Sequence, residues 1–541
     1  MIMITRCLKL WLLSIILLTS GCDTSEPEDV TLSNYNADAM LAKSLPEIAD
    51  LLQKGDLSAE QLVKSYLQRI ESVNYAGPEL RAVISINPRA LERAKELDEL
   101  LSQGQTVGPL HGVPILVKDN IDTKGMATTV GALALKNNQP ERDNPAIAEL
   151  KKQGAIILGK TNLSQWANFR SEDSMSGWSA LGGQVKNPHV LDRNPCGSSS
   201  GSGVATAASL AAGSIGTETN GSIICPSNVN GIVGFKPTVG LVSQQYIVPI
   251  SDTQDTAGPM TKTVKGAAMM LNAMAEGEHK EDYLQGLTTD SLQGVRIGVV
   301  SYATGSYQPI KDRFEDALLA LLDAGAILID IDENPVTLDG LGRKAYALLQ
   351  YEFKDGLNKY LESTDPTQVE VRSLAQLIAF NEAHADKELT LFNQSILEKS
   401  EARGPLSDAD YLTWREEIRV AMQDNGIDKM LTDNNVSALV APSGVFAGAR
   451  DVVNGDVWPS WPGIGGVAAR AGYPHATVPA GQFRNMPIGI SFISGKYQDA
   501  NVLAYAYAYE QSSQLRVAPK YLETAASDPD VAKLLQPITN K

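Results

Sequence analysis

Histidine and cysteine are scarce in this chain of 541 residues, with five of the first and four of the second. No Cys/His cluster has the spacing that holds a metal, so a zinc-type site does not follow from the sequence. The histidines are His111, His189, His279, His384 and His475, and none lies in the two turns dense in serine. Most of them read as surface or structural residues, with His111, near Lys118, the one to keep in view. Basic charge is also short: 46 Lys and Arg stand against 63 Asp and Glu, a formal charge of −17. That balance argues against nucleic acid and against electrostatic docking on anionic lipid. Long hydrophobic runs are missing too. Leu10 to Leu18 is a short apolar core, below the roughly 20 residues of a membrane span.

That short run has its own meaning. Arg6 and Lys9 precede it and Thr19-Ser-Gly-Cys22 follows, the layout of a signal peptide. Leu18-Thr-Ser-Gly-Cys22 resembles a bacterial lipoprotein box, with cleavage before Cys22 and lipid on its sulfur. Residues 1–21 are therefore expected to be a lipoprotein signal peptide and residues 22–38 an acidic tether. Asp23 resembles an inner-membrane retention signal, which would place the chain at the cell envelope on the periplasmic side. Losing residues 1–21 removes Arg6 and Lys9 and no acid, so the formal charge goes from −17 to −19. Cys7 leaves with the signal and Cys22 takes lipid. Cys196 and Cys225 remain, and could pair in an oxidising compartment. The expectation is two free, buried thiols packed as small apolar groups, because sequence does not give their Cα separation.

The body alternates helix and strand. Leu45 to Leu52 and Ser58 to Ser72 have helical periodicity, and Ser58 with Gln61 fits a capping box. Strands are expected at 81–87, 113–117, 155–159, 295–300 and 326–331. Helices are expected at 88–101, 146–153 and 311–322, and one more opens at Asn162 with Gln165. The strand Val113 to Val117 places Lys118 at its end. Residues 335–434 are helix-rich and lack strand alternation. Strands return at 438–441, 476–478 and 488–492, and a helix closes at 501–511. This predicts an α/β fold, a large mixed, mostly parallel central sheet with helices on both faces. A single domain is expected over 39–520, with a tail at 521–541.

What the chain has in plenty is glycine and serine between Pro195 and Thr238. Two Gly/Ser turns flank the small-residue segment Val204 to Ala212. Glycine lets backbone approach a ligand and take positive φ, which leaves amide N–H groups free to face an anion. With Ser198 and Ser222 beside them, a serine nucleophile and a main-chain oxyanion hole are suggested. A linker would lack the apolar segment. Within this stretch no Gly-Lys-Ser/Thr ending points to a phosphate loop. No Gly-x-Ser-x-Gly sits between a plain strand and helix as a nucleophile elbow. Lys118 follows the apolar run Val113 to Val117, so burial could lower its pKa far enough to act as a base.

Together these segments resemble the amidase signature family. The residues that carry the likeness are Gly112-Val-Pro-Ile-Leu-Val-Lys118-Asp119-Asn120, Cys196-Gly-Ser-Ser-Ser-Gly-Ser202, Gly216-Thr-Glu-Thr-Asn-Gly-Ser-Ile223 and Gly234-Phe-Lys-Pro-Thr238. The likeness runs from about Ala39 to Glu510. Trp166-Ala-Asn-Phe-Arg170, Ser176-Gly-Trp178 and Ser251-x-x-Gln-Asp-Thr256 make it most similar to bacterial peptide amidases. The resemblance implies a Ser-Ser-Lys triad: Ser222 attacks, and Ser198 bridges it to Lys118. It also implies a cis bond at Gly197–Ser198 and an oxyanion hole of the N–H groups of Thr219, Asn220, Gly221 and Ser222. Ser199, Thr217 and Asp255 would support these groups. Asn220 departs from the Gly or Asp of many members, which matters little where only backbone is used. Residues 335–434 correspond to the family's variable region around the substrate entrance. No metal or cofactor is implied, and a monomer is expected.

The activity expected is hydrolysis of carboxamides, foremost peptide C-terminal amides, with the substrate and water as partners and the membrane reached through Cys22. A hydrolase of N-acyl (fatty) amides is an alternative. A tRNA-linked amidotransferase component is disfavoured by the export signal. A lipid-anchored binding protein without catalysis is disfavoured by Lys118, Ser198 and Ser222 together.

Overall fold

A computed structural model of the protein describes residues 37–336 and 340–537. The expected signal peptide, the expected lipidation site Cys22 and the expected tether up to residue 36 lie outside those residues. The chain divides into two compact units, Met1–Met40 and Leu41–Lys541. Of the first, only the start of the short helix Ala37–Leu41 is described. The sheet and the site lie in the second.

Eleven strands form its sheet: β1 (Val83–Ile86), β2 (Pro114–Lys118), β3 (Ile156–Thr161), β4 (Gly213–Glu218), β5 (Val233–Lys236), β6 (Thr256–Thr261), β7 (Arg296–Val300), β8 (Ile327–Ile331), β9 (Ala438–Pro442), β10 (His475–Phe483) and β11 (Met486–Ile493). Across the sheet they run β1-β3-β2-β4-β6-β5-β10-β11-β9-β7-β8. The sheet is large, mixed and packed with helices. The parallel order expected from the alternation holds in two blocks, β3-β2-β4 and β9-β7-β8. The other six neighbouring pairs are antiparallel. The β10–β11 hairpin shows one reason. Its strands meet at Arg484 and Asn485, both at positive φ (49° and 66°), the requirement of a tight type I′ turn.

The site lies where the fully buried β2 and β4 meet a helix of small residues, Ser200–Ala207, every one of which is buried. Small side chains are obligatory there. A Cβ on Gly201 would sit 2.3 Å from the carbonyl oxygens of both Ala82 and Asn162. Close packing of this kind leaves no room for one added methyl group.

The expected helix from Asn162 does not form. Trp166, Ala167 and Asn168 take positive φ (52°, 53° and 68°), and only a short 3₁₀ turn, Gln165–Asn168, remains. The Asn162 side chain instead accepts from Leu163 N and donates to Arg81 O and Gly183 O. An Asn that bonds local backbone competes with the helix it could have capped. At Ser58 the cap holds, accepting from Gln61 N at 3.1 Å.

Residues 341–433 are helix-rich and carry no strand, as expected from the lack of alternation. The long helix Leu341–Glu362 belongs to two cores. Leu341, Ala345, Leu348 and Tyr351 pack with Leu439 and Ala441 of β9. Phe353, Leu357, Tyr360 and Leu361 pack with Trp166, Phe169 and Ile250. This double burial fixes the helix across the cavities beside Ser222 and Asp255.

Candidate active site

Lys118 ends β2 with no solvent exposure. Its Nζ donates to Ser198 Oγ at 2.8 Å, to Thr217 Oγ1 at 2.7 Å and to Thr217 O at 3.3 Å. Burial brings its pKa down to about 7, against the opposing pull of the Asp255 and Glu218 carboxylates. An amine in that range switches between ammonium and free base near neutrality. The bond Gly197–Ser198 is cis. Asn120 Nδ2 donates to Thr217 Oγ1 at 3.0 Å, so one hydroxyl serves two donors. Ser199 supports the same residue: its Oγ donates to Thr217 O and accepts from Thr217 N.

Ser222 comes to the site through backbone. Ser199 N donates to Ser222 O at 3.2 Å, which ties the second serine turn to the first. No hydrogen bond between the Ser198 and Ser222 hydroxyls is formed among the described residues. The turn between β4 and the helix Ile224–Asn230 is shaped by Glu218. Its Oε2 accepts from Ile223 N at 2.7 Å and Ile224 N at 3.0 Å. Gly221 makes the reversal with φ of 82° and open space where a Cβ would be. Among the described residues, the N–H groups of Thr219, Asn220, Gly221 and Ser222 have no protein acceptor. Four consecutive free donors are a place for a developing negative charge.

Asp255 braces this turn. It accepts from Thr219 Oγ1, and from Ile250 N and Ser251 N at 2.7 and 2.9 Å. Burial raises its pKa to about 6, against these hydrogen bonds. Glu352, on the long helix, takes hydrogen bonds from Ser251 Oγ, Thr253 and Tyr411. The helical region is thereby fastened to the loop that holds Asp255.

Ser222 lines a cavity of about 290 Å³ with Gly197, Thr219, Asn220, Gln254, Tyr346 and Arg470. One neighbouring cavity, about 540 Å³, reaches Asn120, Thr217, Asp255 and Glu352. Another, about 370 Å³, is walled by Trp458, Trp461 and His475 and touches Asn220 and Gly221.

The two remaining cysteines are not free thiols. Cys196 and Cys225 form a disulfide, with Cα atoms 5.9 Å apart. The expectation failed because the fold sets the two serine turns side by side, within bridging range, which spacing along the chain could not show. None of the five histidines hydrogen-bonds to either serine among the described residues. His111 is satisfied elsewhere: Nδ1 accepts from Val107 N, and Nε2 meets Leu97 O at 3.1 Å.

Glu218, Asn120, Glu352 and Arg470 were given no role by the sequence. Glu218 had a signal, a carboxylate inside a motif otherwise of small, neutral residues, and Asn120 had one in following Lys118 and Asp119 at a strand end. Arg470 is the only Lys, Arg, Asp or Glu between Asp456 and Arg484. Glu352 had none, on a helix rich in charge. A converse case is Gly154-Ala-Ile-Ile-Leu-Gly-Lys160-Thr161, which fits a phosphate-loop spacing. Here it is mostly strand β3, and buried Lys160 pairs with Asp119 at 3.3 Å, so no loop is open to a phosphate.

A buried amine held on a serine hydroxyl, beside a turn of free N–H donors, is hydrolase geometry. The Amidase family model matches residues 61–503, and the chain belongs to that family: it is an amidase, a hydrolase of carbon–nitrogen bonds. The structure of peptide amidase from Stenotrophomonas maltophilia is 41% identical, with a TM-score of 0.84, over 88% of this chain and 98% of that one. An amidase family protein from Bacillus anthracis is 32% identical, with a TM-score of 0.78, over 90% and 96%. A probable amidase from Arabidopsis thaliana is 36% identical over 487 residues, 86% of this chain and 89% of that protein.

Proposed function

We propose that this amidase hydrolyses primary carboxamides, foremost the C-terminal amides of peptides, through an acyl-enzyme on Ser222. The observation that carries this reading is Lys118: fully buried, with a pKa near 7, and bonded to Ser198 Oγ at 2.8 Å. As the free base it takes the Ser198 hydroxyl proton while Ser198 takes that of Ser222, and Ser222 Oγ bonds to the carbonyl carbon. The Ser198–Ser222 contact closes around bound substrate, as catalytic hydrogen bonds often do. The carbonyl oxygen, now an anion, is held by the N–H groups of residues 219–222. The proton passes back through Ser198 to the leaving nitrogen, the C–N bond breaks and ammonia departs. Water then attacks the ester, gives its proton to the same relay, and frees the carboxylate product and the Ser222 hydroxyl.

Two features support peptide amides in particular. The likeness to peptide amidase spans 88% of this chain and 98% of that one. Three adjoining cavities also offer room for residues beyond the scissile amide. Export rests on the Leu18–Cys22 box. A disulfide between Cys196 and Cys225 suits an oxidising compartment.

Ser222→Ala tests the reading. Turnover of a peptide amide and the acyl adduct seen by mass spectrometry should both vanish, with the circular dichroism spectrum unchanged. An acyl adduct persisting in that variant would move the nucleophile to another residue.

A further inference from the structure

The cavity that holds Ser222 carries one charged side chain, and it is a cation. Its lining residues are apolar or neutral and polar except Arg470. Arg470 lies in the short helix Gly465–Ala471 and is half-buried. Its guanidinium donates once, from Nη1 to Gly466 O at 3.2 Å. Among the described residues no carboxylate lies within ion-pair distance of it. The other cations of the adjoining 540 Å³ cavity are matched: Arg142 by Asp122 at 3.0 Å and Lys359 by Asp355 at 2.7 Å.

The place of the guanidinium is also specific. A Cβ on Gly466 would lie 3.3 Å from Arg470 Nη1 and 3.8 Å from Asn220 Oδ1. The guanidinium and the Asn220 side chain thus both lie close to Gly466, and Arg470 lines the same cavity as Thr219, Asn220 and Ser222. Burial lowers the Arg470 pKa with no acid opposing the shift, so the charge is partly desolvated and uncompensated. An arginine presents a planar fork of N–H donors matched to carboxylate, and in a partly desolvated cavity such a pair is stronger than at a surface. In a chain of formal charge −17, an unpaired cation here is poorly explained by stability, because a half-buried charge without a partner loses hydration that nothing offsets.

We propose that Arg470 is a specificity-determining residue that binds an anionic group of the substrate, the side-chain carboxylate of an acidic residue within the last two positions before the scissile carboxamide. This deepens the peptide-amide reading and rests on it. The enzyme then favours acidic peptide amides over neutral ones of equal size, by charge pairing next to the reacting carbonyl.

The test separates binding from turnover. N-acetyl dipeptide amides carrying Glu at either position, and their Met counterparts, are titrated calorimetrically into Ser222→Ala protein and assayed with the wild type. Both measurements are repeated in Arg470→Gln, Arg470→Lys and Arg470→Glu backgrounds, with thermal melts to confirm folding. For one of the two positions, the Glu-over-Met ratio of affinity and of kcat/KM should be about tenfold or more in wild type. It should fall to near unity in Arg470→Gln, survive in part in Arg470→Lys and invert in Arg470→Glu. A ratio near unity at both positions in wild type, or one unchanged in folded Arg470→Gln, overturns the assignment. Selective binding without turnover would overturn the hydrolase reading for these amides and leave Arg470 standing. Turnover without selectivity would do the reverse.

Discussion

Cys196 and Cys225 are joined across the two serine turns, Cys196 two residues before Ser198 and Cys225 three residues after Ser222. The bond therefore does more than close a loop. It holds together the two backbone segments that carry the hydroxyls. Ser199 N to Ser222 O at 3.2 Å and Asn230 Nδ2 to Pro195 O at 3.0 Å also tie them.

Replacing both cysteines with serine should lower stability by about 3–4 kcal/mol, the loop-entropy value for a separation of 29 residues. Guanidinium titration of the two forms measures it. Turnover should fall as well, because relative motion of the turns misplaces one hydroxyl against the other. Equal midpoints and equal kcat in the double variant would show that packing alone sets the turns.

Asp255 offers a test with a definite sign. With a pKa near 6 it is ionised at the pH where Lys118, near 7, loses its proton. A carboxylate favours the ammonium form and raises the Lys118 pKa. Asp255→Asn removes that charge, so the ammonium is less favoured and its proton leaves at lower pH. The acidic limb of kcat/KM should move down by about half to one pH unit, where one unit corresponds to about 1.4 kcal/mol. Asparagine cannot replace both acceptor oxygens for Thr219, Ile250 and Ser251, so kcat should also drop. An upward shift of the limb would contradict the electrostatic role.

Much of this was open to reading because the site is built from contiguous motifs. Lys118 at the end of a buried strand and Ser198 and Ser222 in glycine-rich turns follow from local residue chemistry, while the N–H groups of Thr219 to Ser222 come from the family resemblance. What resisted were relations between distant segments. The Cys196–Cys225 bond needs two turns to be neighbours in space. Glu352 reaches Ser251 and Thr253 over about 100 residues of chain. The antiparallel centre of the sheet depends on which strands neighbour each other, which helix-strand alternation does not encode. The failed helix at Asn162 was a local error, because Asn side chains serve turns as readily as caps.

Cys22→Ala should release the protein from the membrane fraction or leave its precursor uncleaved. The motive is the Leu18-Thr-Ser-Gly-Cys22 box, since several acyl chains anchor firmly where one binds weakly. Fractionation and intact-mass measurement of the wild type check it. An unchanged partition, together with no lipid mass on the wild type, would refute lipidation.

The base itself is decided by pH. Lys118 must be neutral to accept a proton, so kcat/KM should rise with pH through an apparent pKa near 7, a value belonging to the coupled Lys-Ser-Ser unit rather than to one atom. A histidine base would give a similar limb, so the variants discriminate. His111 is engaged by Val107 and Leu97, and burial holds His189 near 4 and His475 near 3. Substituting each of the five histidines should leave the limb in place. Lys118→Ala should lose on the order of 10³-fold or more in kcat, the scale of general base catalysis. Ser198→Ala should lose less, because water can bridge in its stead. Stability gives an independent readout. The folded pKa lies below the unfolded value of 10.5, so between about 7 and 10.5 the unfolded chain binds more protons at this site. Its contribution to stability therefore rises with pH across that window and is flat below it. Lys118→Met should remove this slope and stabilise the fold near pH 7, by relieving the desolvation that lowers the pKa. A limb that vanished in His111→Ala, with near-normal turnover in Lys118→Ala, would falsify the lysine assignment.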